Sequence, residues 1–198
     1  MTRPAVPVHY LRENARNWSP RSVIFLDTET REVVAGKTDV LGLRLWVARY
    51  VDRRTAKDVS PRHVTTWGTT APALARWVDD VTRNREAVWL FSHNLSFDLT
   101  VSRLPLTLVS LGWRINDAAI GGKSPWLRLA RGKRVLTLVD SGSWLPLPLE
   151  EVAARMLMRK PPLPGAGDPA GSWLHRCGHD VDIMATAVLD LMDWWDAR

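Results

Sequence analysis

Asp27 and Glu29 stand one residue apart at the end of Val23-Ile24-Phe25-Leu26, four apolar residues that favour a strand. Side chains alternate along a strand, so both carboxylates project from one face. Like charges that close repel, and each raises the other's pKa unless a cation lies between them. The pair therefore reads as half of a site for a hard cation with oxygen ligands, Mg²⁺ or Mn²⁺ rather than Zn²⁺, which prefers His and Cys. A strand end fraying into a polar turn gives the same three letters, so the reading depends on further acids downstream.

Two such acids occur. Asp98 follows a buried run, Ala87 to Phe91, and the polar Ser92-His93-Asn94; it is either a ligand or a residue that serves a helix start. Asp180 precedes Ile183, Met184, Ala187, Val188, Leu191, Met192 and Trp195, a continuous apolar stripe at helical spacing, and lies in line with it. An acid on the core side of a helix needs a metal, a basic partner or a capping role, because a buried unpaired carboxylate is costly. His175 lies five residues before Asp180, about 140° away on a continuous helix. It reaches the same spot only from a non-helical lead-in, for which Gly178 gives freedom, and is otherwise a solvated loop histidine. His93 and His179 are weaker candidates.

The elements that must position these groups follow from periodicity. After the acidic pair and a turn around Gly36-Lys37, Leu41, Leu43, Leu45 and Val47 alternate with Gly42, Arg44, Trp46 and Ala48, as in a half-buried strand. A third strand at Val64 to Trp67 would complete an antiparallel meander. Thr70 caps a helix whose stripe is Leu74, Trp77, Val78 and Val81. A short strand follows at Ala87 to Phe91, then a helical segment interrupted at Pro105. Further strands are expected at Trp113 to Ala119, Trp126 to Ala130 and Val135 to Asp140, with turns at Gly121-Gly122 and Arg131-Gly132. Leu149 to Met158 reads as a helix with Pro148 in its first turn. Residues 159–172, rich in Pro and Gly, read as a loop, and a last helix runs from about Asp180 to Trp195. Residues 1–21 read as an irregular arm and residues 22–198 as one domain, an α/β fold with a mixed sheet.

At 198 residues, 45% hydrophobic and 24% charged, the chain has the composition of one globular domain with a well-buried core. It contains no apolar run of membrane-spanning length and no signal-peptide pattern, and a single cysteine, Cys177, excludes an internal disulfide. The expected location is cytoplasmic, near the nucleoid, and not secreted. The net charge is +6, and 22 of the 27 basic residues are Arg. Arg suits phosphate oxygens, so the balance favours a nucleic-acid partner; a GC-rich genome would favour the same codons. The eleven tryptophans are unusual at this size and serve either the core or base stacking.

Taken together, Asp27-Thr28-Glu29, His93-Asn94-x-x-Phe97-Asp98 and His175-x-x-x-x-Asp180 resemble the three motifs of the DEDD superfamily of 3′-5′ exonucleases, in its histidine form. The stretch Asp140-Ser141-x-x-Trp144-Leu145, with Leu149 and Val152-Ala153, is similar to the segment between the second and third motifs in exonuclease domains of family B DNA polymerases. Those domains usually carry a Tyr four residues before the final Asp, where this chain has Arg176. The resemblance covers residues 23–195. It implies an RNase H-like fold and hydrolysis of a 3′ end by two divalent cations, Mg²⁺ or Mn²⁺. It also implies that Asp27 bridges both ions, that Glu29 and Asp180 complete one and that Asp98 holds the other, partly through water. His175 is then the proton acceptor, and Thr28, Asn94 and Phe97 touch the strand end, with core packing the other role open to Phe97. The expected substrate is the 3′ end of single-stranded or frayed DNA, favoured over RNA, with a polymerase or larger nuclease assembly as a possible partner. An exoribonuclease and a catalytically silent nucleic-acid-binding module are the alternatives.

Overall fold

The computed structural model describes residues 19–35, 38–53, 62–120, 122 and 124–197. Most of the N-terminal arm, the turn at Gly36-Lys37 and Gly121 lie outside the described residues. Seven strands form one mixed sheet. The first three, β1 (Ser22–Ala35), β2 (Thr38–Asp52) and β3 (Arg62–Gly68), make the antiparallel meander. Then β4 (Ala87–Ser92) joins β1 in parallel, and β7 (Arg134–Asp140) joins β4 in parallel. Two antiparallel strands, β6 (Trp126–Arg131) and β5 (Arg114–Ala119), extend the far edge. The spatial order is β3-β2-β1-β4-β7-β6-β5.

Helices cover both faces, and this makes β1 the axis of the molecule. Val23, Ile24, Phe25 and Leu26 are all fully buried. Val23 and Phe25 enter the core shared with α4 (Leu149–Arg155) and α5 (Ala170–Asp196). Ile24 and Leu26 enter the opposite core, under α1 (Ala71–Val81), α2 (Leu95–Ser102) and α3 (Leu104–Ser110). Burial on both faces also applies to Leu45, Trp46, Val47 and Ala48 in β2. The alternation seen in that strand therefore marks two cores rather than one wet and one dry face, while Leu41 lies exposed towards its start.

Local signals account for most boundaries. Thr70 caps α1, its hydroxyl accepting from the Ala73 N–H at 3.4 Å. The helical segment after β4 breaks at Arg103, whose φ of +50° is left-handed, and Pro105 sits in the first turn of α3. Two helices depart from expectation: α4 ends at Arg155, short of Met158, with Leu157 in the left-handed region at φ +57°. α5 starts at Ala170, ten residues before Asp180, so the preceding loop is shorter than 159–172 and Asp180 lies inside the helix rather than capping it. Burial of Trp173, Cys177 and Val181 extends the apolar stripe backwards and outweighs two helical glycines, each worth about 1 kcal/mol against helix formation.

Candidate metal centre

β1 pairs with β4 only from Val23 to Phe25, opposite Trp89 to Phe91. Beyond Phe25 the two parallel strands part, and the crevice at their C-terminal ends is where open α/β sheets carry their ligand sites. Asp27 and Glu29 occupy this length of β1, and the register with β2 slips just after Glu29. Such irregularities re-aim side chains beside functional sites. Both acids share the face of Val23 and Phe25, towards α5, from which Asp180 approaches. One carboxylate oxygen from each of Asp27, Glu29 and Asp180 lies within 4.8 Å of the others.

Asp180 is 5% exposed and its two oxygens differ. Oδ2 accepts from Lys160 Nζ at 3.0 Å and from Arg176 Nε at 3.3 Å. Oδ1 is buried and has no hydrogen-bond partner.

Asp98 comes from the other side of the sheet. α2 rises directly from the end of β4, and Thr28 points to its face because it alternates with Asp27 and Glu29. The Thr28 hydroxyl donates to Asp98 Oδ1 at 2.6 Å, and the Ser92 hydroxyl donates to Oδ2. The start of α2 is fixed in turn by Asp140 at the end of β7, whose carboxylate accepts from the N–H groups of Asn94 (3.4 Å), Leu95 (3.1 Å) and Gly142 (2.7 Å). Asn94 sits at φ +83°, a conformation Asn tolerates. Asp98 is not one of the three converging acids, yet after burial its charge is the largest cause raising Asp27.

The electrostatics describe an acid cluster short of positive charge. Asp27 is half-buried and open on one side, but surrounding protein and then Asp98 and Asp180 push its pKa well above the usual range. Glu29 is raised by burial, against the opposing pull of Arg176. Asp98 is pushed up to about 7 by burial, with the Ser92 and Thr28 hydrogen bonds holding it down. A divalent cation bound here would offset this repulsion and could take Asp180 Oδ1 as a ligand. The converging groups are all carboxylates, which suits Mg²⁺ or Mn²⁺.

The structure does not bring His175 into the acid cluster. No non-helical lead-in exists: His175 lies on continuous α5, is exposed, and stacks edge-on against His179 with ring centroids 4.5 Å apart. Arg176, a full turn before Asp180, takes the position that faces the acids. His93 feels the charges of Asp140 and Asp180, but its Nδ1 pairs with Ser141 Oγ at 3.1 Å, it bonds the Leu147 backbone, and burial lowers its pKa. Thr28 is 5% exposed, and its hydroxyl is engaged by Asp98. Phe97 is 37% exposed, outside the core, and Asn94 is also exposed. Lys160 and Ser92 escaped the sequence reading. Lys160 belongs to a loop with no periodicity, whereas Ser92, six residues before Asp98, had the spacing of a strand-to-helix turn to suggest it.

No family model and no curated protein matches this chain. Solved structures do. Phi29 DNA polymerase complexed with primer-template DNA and incoming nucleotide substrates is 19% identical, with a TM-score of 0.59 over 89% of this chain and 32% of that one. The same polymerase complexed with primer-template DNA in a post-translocation binary complex gives 17% identity and 0.58 over 88% and 32%. Complexed with single-stranded DNA, it gives 19% and 0.57 over 88% and 32%. The chain spans about a third of the length of those polymerases, and likeness at this identity shows the fold alone. With the mixed sheet, that fold is RNase H-like. Among the described residues, no helix is long and apolar enough to cross a membrane.

Proposed function

We propose that this protein is a metal-dependent 3′-5′ exonuclease that acts on single-stranded or frayed DNA. The observation that carries the reading is the convergence of Asp27, Glu29 and Asp180 around the unpartnered, buried Oδ1 of Asp180. A protein that only bound nucleic acid would gain nothing from carboxylates gathered against phosphate charge. Asp27, Glu29 and Asp180 would hold one divalent ion and Asp27 with Asp98 a second. Bound there, such ions supply a hydroxide at neutral pH and offset the charge on the leaving 3′ oxygen.

The chain's own residues set the terms of that chemistry. Thr28 and Ser92 hold Asp98 in one orientation and favour its ionised form, since a donated hydrogen bond stabilises a carboxylate. Asp140 fixes the start of α2 and so the height of Asp98 above the sheet. Lys160 and Arg176 offset part of the acid charge and hold Asp180 Oδ2. The exposed ring of Phe97 offers a stacking face for a terminal base, with Asn94 beside it. His175 has no part in the reaction.

Matched single-stranded DNA and RNA oligonucleotides supplied together, with release of 5′-mononucleotides followed by chromatography, test the reading. Deoxynucleotides are expected to appear first. Release of ribonucleotides alone makes the enzyme an exoribonuclease, and release of neither defeats the proposal.

A further inference from the structure

We propose that Arg176 is a positioning residue that divides the labour of Asp180, holding one carboxylate oxygen so that the other faces the metal. This rests on the exonuclease reading for its effect on turnover but not for its effect on metal binding. Arg176 lies one turn before Asp180 on α5, and its side chain is 13% exposed. Its Nε binds Asp180 Oδ2, and its Nη1 donates to the Pro161 carbonyl, in the segment that also supplies Lys160. Two cations thus converge on Oδ2, at 3.0 and 3.3 Å, while the buried Oδ1 has none. A guanidinium has no acceptor atom and stays protonated, so position 176 cannot take a proton from water. What it supplies is a planar fork that bridges two acceptors at once, and a single positive charge at the acid cluster.

Bridging and charge predict opposite effects when the residue is changed. The guanidinium repels a divalent ion, so Arg176→Met leaves a more negative site, with Lys160 still on Oδ2. Mn²⁺ binding is expected to tighten by about 3-fold to 10-fold, on Coulombic grounds. Turnover is expected to fall at least ~10-fold while KM changes less than ~3-fold, because the lost interaction orients a ligand of the reacting ions rather than the substrate as a whole. Arg176→Lys restores the charge but not the fork, so its Mn²⁺ affinity returns to the wild-type value while kcat stays low.

The experiment measures Mn²⁺ affinity by electron paramagnetic resonance without nucleic acid, and kcat and KM on single-stranded DNA, for wild type, Arg176→Met and Arg176→Lys. Tighter Mn²⁺ binding with reduced kcat in Arg176→Met, and no recovery of kcat in Arg176→Lys, supports the proposal. Weaker Mn²⁺ binding in Arg176→Met, unchanged kcat, or full rescue by Arg176→Lys overturns it. If Arg176→Met does not fold, Arg176→Lys alone decides: wild-type Mn²⁺ affinity with low kcat supports the bridge, and wild-type kcat sinks it. If the wild type cleaves nothing, the exonuclease reading fails, and Mn²⁺ affinity alone then decides whether the charge at Arg176 acts as described.

Discussion

Replacing Asp27 by Asn should stabilise the metal-free protein, because Asp27 is held among acids that its charge opposes. The ligand oxygens of Asp27, Glu29 and Asp180 lie within 4.8 Å of one another. At an effective dielectric of about 20, two full charges at that distance repel by about 3.5 kcal/mol. Arg176 and Lys160 cancel part of this, and Asp27 escapes part by taking up a proton, so the net relief is about 1–3 kcal/mol. For a chain of this size that raises Tm by roughly 3–10 °C. The sign with pH follows from linkage: an acid whose folded pKa is raised contributes stability at low pH that is lost as pH rises through that pKa. The gain in Asp27→Asn should therefore be larger at pH 8 than at pH 5. Thermal melts by circular dichroism in EDTA and in Mn²⁺ read it directly: Mn²⁺ should raise the Tm of the wild type and leave the variant nearly unmoved. An Asp27→Asn protein less stable than wild type in EDTA at pH 8 would refute the repulsion argument.

Three further outcomes are expected. Thr28→Val removes a hydrogen bond that helps hold the Asp98 pKa down to about 7, so the pH at which Mn²⁺ affinity reaches half its maximum should move upwards in a titration series. Asp140→Ala uncaps the start of α2 and should cost about 1–2 kcal/mol in urea denaturation, with activity reduced because Asp98 shifts. His175→Ala should keep activity within about 2-fold of wild type in a steady-state assay, since surface changes away from a site rarely matter; a loss of ~100-fold would return the histidine to the reaction.

Much of the fold was written in periodicities. The apolar run ending in Asp27-Thr28-Glu29 fixed a central strand and put two acids on one face, and the same alternation, pursued further, would have sent Thr28 to the opposite side. Thr70 marked a helix start where it occurs, and Pro105 a helix break that falls two residues earlier, at Arg103. The start of α5 was illegible because Gly171 and Gly178 read as breakers, and only tertiary burial of Trp173 and Cys177 overrules them. That one boundary carried the histidine assignment with it: a helix already under way at position 175 turns His175 outwards and Arg176 inwards. Lys160 was hidden for another reason, since a loop contact 20 residues away in sequence leaves no pattern to read.

In the proposed reaction the carboxylates gathered at the end of β1 act, with bound metal, on 3′ ends. The direct measurement is degradation of a 5′-labelled single-stranded DNA by wild type, Asp27→Asn and Asp180→Asn, each shown folded by its melt, in Mg²⁺, Mn²⁺ or EDTA. A ladder shortening from the 3′ end is expected with wild type and metal, and intact substrate with EDTA or either variant. Equal shortening by Asp27→Asn, or by wild type in EDTA, would contradict that reaction.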